Sequence, residues 1–125
     1  MIVNLLCVGA GGFIGAILRA SSSLFLSKFS LFQAFPIATL SVNLVGSFLI
    51  GIFLTNNLIL ANPNLKSFLT AGLLGGLTTF STFSFDTLML IEHRMFFTAL
   101  LNILANVVLA LIACFLGSLI GRNLG

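Results

Sequence analysis

Gly72-Leu73-Leu74-Gly75-Gly76-Leu77-Thr78-Thr79-Phe80-Ser81-Thr82-Phe83-Ser84 is the stretch on which the reading of this chain turns. It lies inside a long apolar segment, yet it places three glycines within five positions and follows them with five hydroxyl residues. Glycine in a helix interior costs about 1 kcal/mol relative to alanine. The composition therefore predicts a break between Gly75 and Thr79. At membrane depth such a break is tolerated only where protein or water covers it. There, freed carbonyls bind cations and half-helix N-termini favour anions. The competing reading is a close glycine-mediated crossing, with the hydroxyls bonded back to their own helix.

The surroundings say that the solvent is lipid. Of 125 residues, 59% are hydrophobic and 6% charged, with a mean hydropathy of +1.26. A soluble domain carries about 25% charged residues. A spanning helix needs roughly 20 apolar residues, which leaves room for four spans and little else. The apolar segments run over about 2–26, 37–54, 67–91 and 95–120. They predict an all-α, integral membrane four-helix bundle, one membrane domain over 1–125, with a broken third transmembrane helix. The loop between the first two segments holds Lys28, Ser30, Gln33 and Pro36, and Asn62-Pro63-Asn64 marks the next turn. Gly11 with Gly15, Ser47 with Gly51 and Gly117 with Gly121 sit at the spacing that lets helices approach closely in lipid. The first segment lacks the basic start of a signal peptide and is read as a retained helix.

Charge excludes some functions and leaves others open. A net charge of +3 is spread over segment ends, so no nucleic-acid partner is expected. With the N-terminus on one side, that side receives Lys66 and Arg122, and the other receives Arg19, Lys28 and Arg94. Two against three is nearly a tie for a rule that orients by basic loops. Such a vote permits insertion both ways and an antiparallel, dual-topology homodimer. Arg19 is expected to end the first helix, either snorkelling to the interface or drawing anions into a vestibule. Asp86 is the one acidic group within a span, a functional candidate on that ground. Cys7 and Cys114 sit in apolar runs and read as packing residues.

Phe80 and Phe83 stand at helical spacing in the hydroxyl-rich stretch. Aromatic edges are positive, so rings edging a narrow pore replace part of an anion's water, and hydroxyl and amide donors supply the rest. Asn43, inside the second segment, either joins such a path or bonds a neighbouring helix. Asn102 and Asn106, four apart, either line a water-accessible path or hold helices together. A pore that conducts a small, strongly hydrated anion must offer it many donors without a fixed cation that would trap it.

Three motifs in order resemble the fluoride channel family known as CrcB or Fluc over nearly the whole chain: Gly11-Gly12-Phe13-Ile14-Gly15-Ala16-Ile17-Leu18-Arg19, Thr39-Leu40-Ser41-Val42-Asn43-Leu44-Val45-Gly46-Ser47, and the run from Gly75 to Ser84. The resemblance implies an antiparallel homodimer in the cell (inner or plasma) membrane, with two pores passing fluoride passively outward. It assigns Phe80 and Phe83 as pore phenylalanines, Asn43 as the pore amide, and Ser81, Thr82 and Ser84 as candidate pore donors. It implies a vestibule role for Arg19. It also implies a structural sodium ion at the dimer centre, held by backbone carbonyls matching Gly75 and Thr78. The chain departs from the family pattern at Ala20, at Asp86, and at Ala110 and Cys114.

Two alternatives come from other classes. A small dual-topology multidrug exporter needs an acidic residue deep in its first helix, and residues 2–26 hold none. A non-transporting membrane assembly protein explains the glycines but leaves the hydroxyls and rings of the third segment without purpose. An enzyme is not expected, since no nucleophile with its base, carboxylate pair or metal cluster is visible.

Overall fold

A computed structural model describes residues 1–28 and 34–125. Ser30 and Gln33 of the expected first loop lie outside them. The described residues form α1 (Ile2–Leu26), α2 (Ile37–Phe53), α3 (Asn57–Leu60), α4 (Pro63–Ser67), a π-helical segment (Phe68–Leu74), α5 (Gly75–Leu77), α6 (Phe80–Glu92), α7 (Phe96–Leu104), a second π-helical segment (Ala105–Leu109) and α8 (Ala110–Leu124). Among the described residues the helices Ile2–Leu26, Pro63–Glu92 and Phe96–Leu124 are long and apolar enough to cross a membrane, and the apolar helix Ile37–Phe53 is shorter.

The helix expected from residue 67 starts four residues earlier, for a local reason. Asn62 caps it, its side chain accepting from the Leu65 amide, and Pro63 occupies the first turn, where its missing N–H costs nothing. The Asn-Pro pair thus opens a helix rather than only marking a turn. Asn62→Ala should lower stability by about 1 kcal/mol, read as an earlier thermal unfolding midpoint in detergent.

Two close crossings set the packing. Along α1, a Cβ on Gly11 or Gly15 would run into backbone atoms of Phe68 and Leu73. Along α2 and α8, a Cβ on Gly51 would strike the Cys114 carbonyl, and one on Gly117 the Phe48 carbonyl. Backbones this close gain the dispersion contacts that hold helices together in lipid. Val42, Leu74 and Leu77 are buried between the two pairs, with Leu49, Ile50 and Phe53 packed against them. Large apolar side chains cover the outside, among them Leu5, Phe13, Phe97, Leu111 and Phe115.

Arg19 does not end α1. It sits half-buried within the helix, about two turns before Leu26, because the serines and leucines beyond it continue the helical run.

Candidate functional site

Between α5 and α6 the backbone of Thr78 (ψ 155°) and Thr79 (φ −150°, ψ 114°) is extended. The Thr79 amide donates to Asn43 Oδ1 at 2.8 Å, and Asn43 Nδ2 donates to the Thr79 carbonyl at 3.2 Å. One side-chain amide from α2 therefore serves both backbone groups of a residue only 5% exposed. Gly46, one turn further along α2, admits the Thr78 side chain, since a Cβ there would strike Thr78 Cγ2. Thr79 then caps α6: its Oγ1 accepts from the Thr82 amide at 3.2 Å and donates to Thr82 Oγ1 at 3.0 Å.

Phe80 and Phe83 leave α6 with their ring centroids 5.4 Å apart, tilted by 58°. Phe80 is 78% exposed and Phe83 9%, so one ring projects outward while the other backs it. Both border a cavity of about 370 Å³ that also touches Asn43, Thr78, Thr79, Gly75 and Asn106. Among the described residues no charged one lines it.

The remaining candidates are placed differently. Ser81, Thr82 and Ser84 are exposed on α6 outside the cavity lining. The Ser84 hydroxyl donates back to the Phe80 carbonyl at 2.9 Å. Thr82 accepts from Thr79 and keeps its own O–H to donate outward. Arg19 does not line the cavity either. Asp86 Oδ2 accepts from the Thr39 hydroxyl at 2.7 Å, tying α6 to α2.

The carbonyls of Gly75 and Thr78 flank the extended residues. In a continuous helix the amides of Thr79 and Thr82 would serve them, but those amides bond Asn43 Oδ1 and Thr79 Oγ1. Both carbonyls are thereby relieved of their usual helical donors.

Residues that the sequence left between two roles, with Thr87, complete the site. Asn43 Nδ2 also donates to Asn106 Oδ1 at 2.9 Å. Asn106 Nδ2 donates to Asn102 Oδ1 at 3.0 Å, and Asn102 Nδ2 to Thr87 Oγ1 at 2.9 Å. Asn102 is fully buried, which settles it as a helix-to-helix link rather than part of a wetted wall. The four-residue spacing puts Phe83 and Thr87 on one α6 face, in line with the N-cap Thr79.

The model of the CrcB-like protein, Camphor Resistance (CrcB) family matches residues 6–118. The chain belongs to the CrcB family. Relatives of the family named fluoride-specific ion channel FluC include one from Campylobacter fetus, 46% identical over 88% of this chain and 87% of its own. Another, from Elusimicrobium minutum, is 49% identical over 88% of this chain and 86% of its own. A third, from Methanocaldococcus jannaschii, is 47% identical over 94% and 93%. Family membership together with the long apolar helices makes this a multi-pass membrane protein.

Proposed function

We propose that this chain is a fluoride-selective channel, working as an antiparallel homodimer whose pores let fluoride leave the cell down its gradient. The relatives' names supply the ion. The observation that carries the reading is the uncharged cavity at the Thr78–Thr79 break, walled by Phe80, Phe83 and the Asn43 amide. Conduction needs sites that admit an ion and release it. Weak dipoles do both, whereas a fixed lysine or arginine would hold a small anion.

In this reading the protein's own groups act in turn. Arg19 raises the local anion concentration near the membrane surface. The outward O–H of Thr82, with Ser81 and Ser84 beside it, replaces waters as the ion enters along α6. The positive edges of Phe80 and Phe83 and the Asn43 amide carry it through the narrow part. The N-terminal end of α6 adds a partial positive charge there.

The dimer draws support from Gly75 and Phe80. Among the described residues a Cβ on Gly75 would meet only the Thr70 carbonyl, at an ordinary 3.7 Å, so none of them demands glycine there. A second copy approaching this backbone does. The same approach covers the Phe80 ring, 78% exposed in one chain. Gly75 and Thr78 carbonyls from both copies would hold a sodium ion at the centre, joining the subunits.

Liposomes loaded with fluoride and carrying purified protein should discharge it, followed with a fluoride electrode, at least about 100-fold faster than they discharge chloride. Phe83→Ile should slow fluoride efflux about tenfold, about 1.4 kcal/mol of barrier, with the protein still assembled. Equal leakage of both halides, or none, would refute the reading.

A further inference from the structure

The bonds behind Phe83 all point one way. The Thr79 amide donates to Asn43 Oδ1, Asn43 Nδ2 to Asn106 Oδ1, and Asn106 Nδ2 to Asn102 Oδ1. Asn102 Nδ2 then donates to Thr87 Oγ1, whose hydroxyl donates to the Phe83 carbonyl at 2.8 Å. Every link lies between 2.8 and 3.0 Å. The chain starts on Thr79 and ends on Phe83, four residues further along the same segment. In between it crosses α2, the second π segment and α7. Head-to-tail donation in a dry interior polarises each link and strengthens the next.

We propose that Asn102 and Thr87 are positioning residues for Phe83. They strap the first two turns of α6 to α7, so that the Phe83 ring cannot rotate away from the path. This rests on the channel reading given above. Asn102 does not line the cavity and is 0% exposed, so it acts only through its neighbours. A leucine there would fill the space but end the chain in the middle. Asn106 Nδ2 would keep only the backbone carbonyl of residue 102, and Thr87 Oγ1 would lose its donor. Thr79 stays clamped by Asn43, so the break survives. What is lost is the restraint on α6 two turns beyond it.

The two threonine variants separate position from packing. Thr87→Val keeps the shape and removes the hydroxyl, and Thr87→Ser keeps the hydroxyl and removes a methyl. In fluoride-loaded liposomes Thr87→Val and Asn102→Leu should each slow efflux about tenfold. Thr87→Ser should run at the native rate. The double variant Asn102→Leu/Thr87→Val should be no slower than the slower single, because both cut the same chain. Amide hydrogen exchange over residues 79–87 should quicken in Thr87→Val, a readout that needs no transport.

Native efflux from Thr87→Val, beside a wild-type protein that does discharge fluoride, overturns the positioning role and leaves the channel reading intact. The same holds if Thr87→Ser is as slow as Thr87→Val, since shape rather than the hydroxyl would then matter. A wild-type protein that carries no fluoride overturns both.

Discussion

Gly117→Leu should leave no assembled protein to assay. Gly117 of α8 lies under the Phe48 carbonyl of α2, and Gly51 of α2 lies under the Cys114 carbonyl of α8. The obstacle in each case is backbone, which cannot swing aside as a side chain does. A leucine would have to push the two helices apart along their shared length. Overpacking that neighbouring side chains absorb costs about 1–3 kcal/mol. Here the helices themselves must part, so a loss above about 3 kcal/mol is expected. Lipid supplies no hydrophobic force to press them back together. Size-exclusion in mild detergent should show aggregate where the native protein gives one symmetric peak. Gly9→Ala is the control, because a Cβ on Gly9 meets nothing within 4 Å, and its profile should match the native one. A native-like peak for Gly117→Leu would mean that the α2–α8 crossing is looser than described.

That crossing also shows what a sequence reveals about such a protein. Glycines four apart in an apolar run say that a close approach exists, and Gly11, Gly15, Gly117 and Gly121 each proved to face backbone. They do not say which helix approaches, since spacing carries no information about the partner. The apolar segments were legible because lipid imposes length and composition directly. Their ends were less so: Asn62-Pro63 reads equally as a turn and as a capped first turn, and only the Leu65 amide bond to Asn62 decides it.

The site divides in the same manner. Phe80 and Phe83 stood out for the hydroxyl-rich stretch around them and Asn43 as an amide inside an apolar segment, and all three border one cavity. The relay through Asn106, Asn102 and Thr87 was only half visible. The i, i+4 pair Asn102–Asn106 was plain, but it bonds Thr87 and Asn43, 15 and 63 residues away. Long-range pairings of neutral amides leave no local pattern. Arg19 was misplaced for the opposite reason. A charge in an apolar run reads as an end, yet α1 continues past it to Leu26, since a long side chain snorkels from within a helix.

Asn43→Leu should stop fluoride efflux more completely than any substitution elsewhere on the relay. Asn43 alone serves the Thr79 amide and carbonyl together, and Thr79 is buried at 5% exposure. Leucine orphans the Thr79 amide, at about 1–3 kcal/mol, and leaves the Thr79 carbonyl only the first helical bond of α6. The cheapest escape is for Thr78 and Thr79 to return to helical dihedrals, so that the Thr79 amide bonds Gly75 O. That repair rotates α6 against α5 by the angle the two extended residues now supply. The rings of Phe80 and Phe83 turn with it, and the carbonyl of Gly75 is no longer free for a cation. Flux should fall about 100-fold or more, about 2.7 kcal/mol of barrier. Asn106→Leu makes the informative comparison. It cuts the relay but leaves the Thr79 clamp in place, so its efflux should lie between that of Asn43→Leu and the native protein. If the two variants conduct equally, the amide matters only as a link in the relay, and the clamp on the extended threonines is not what keeps the path open.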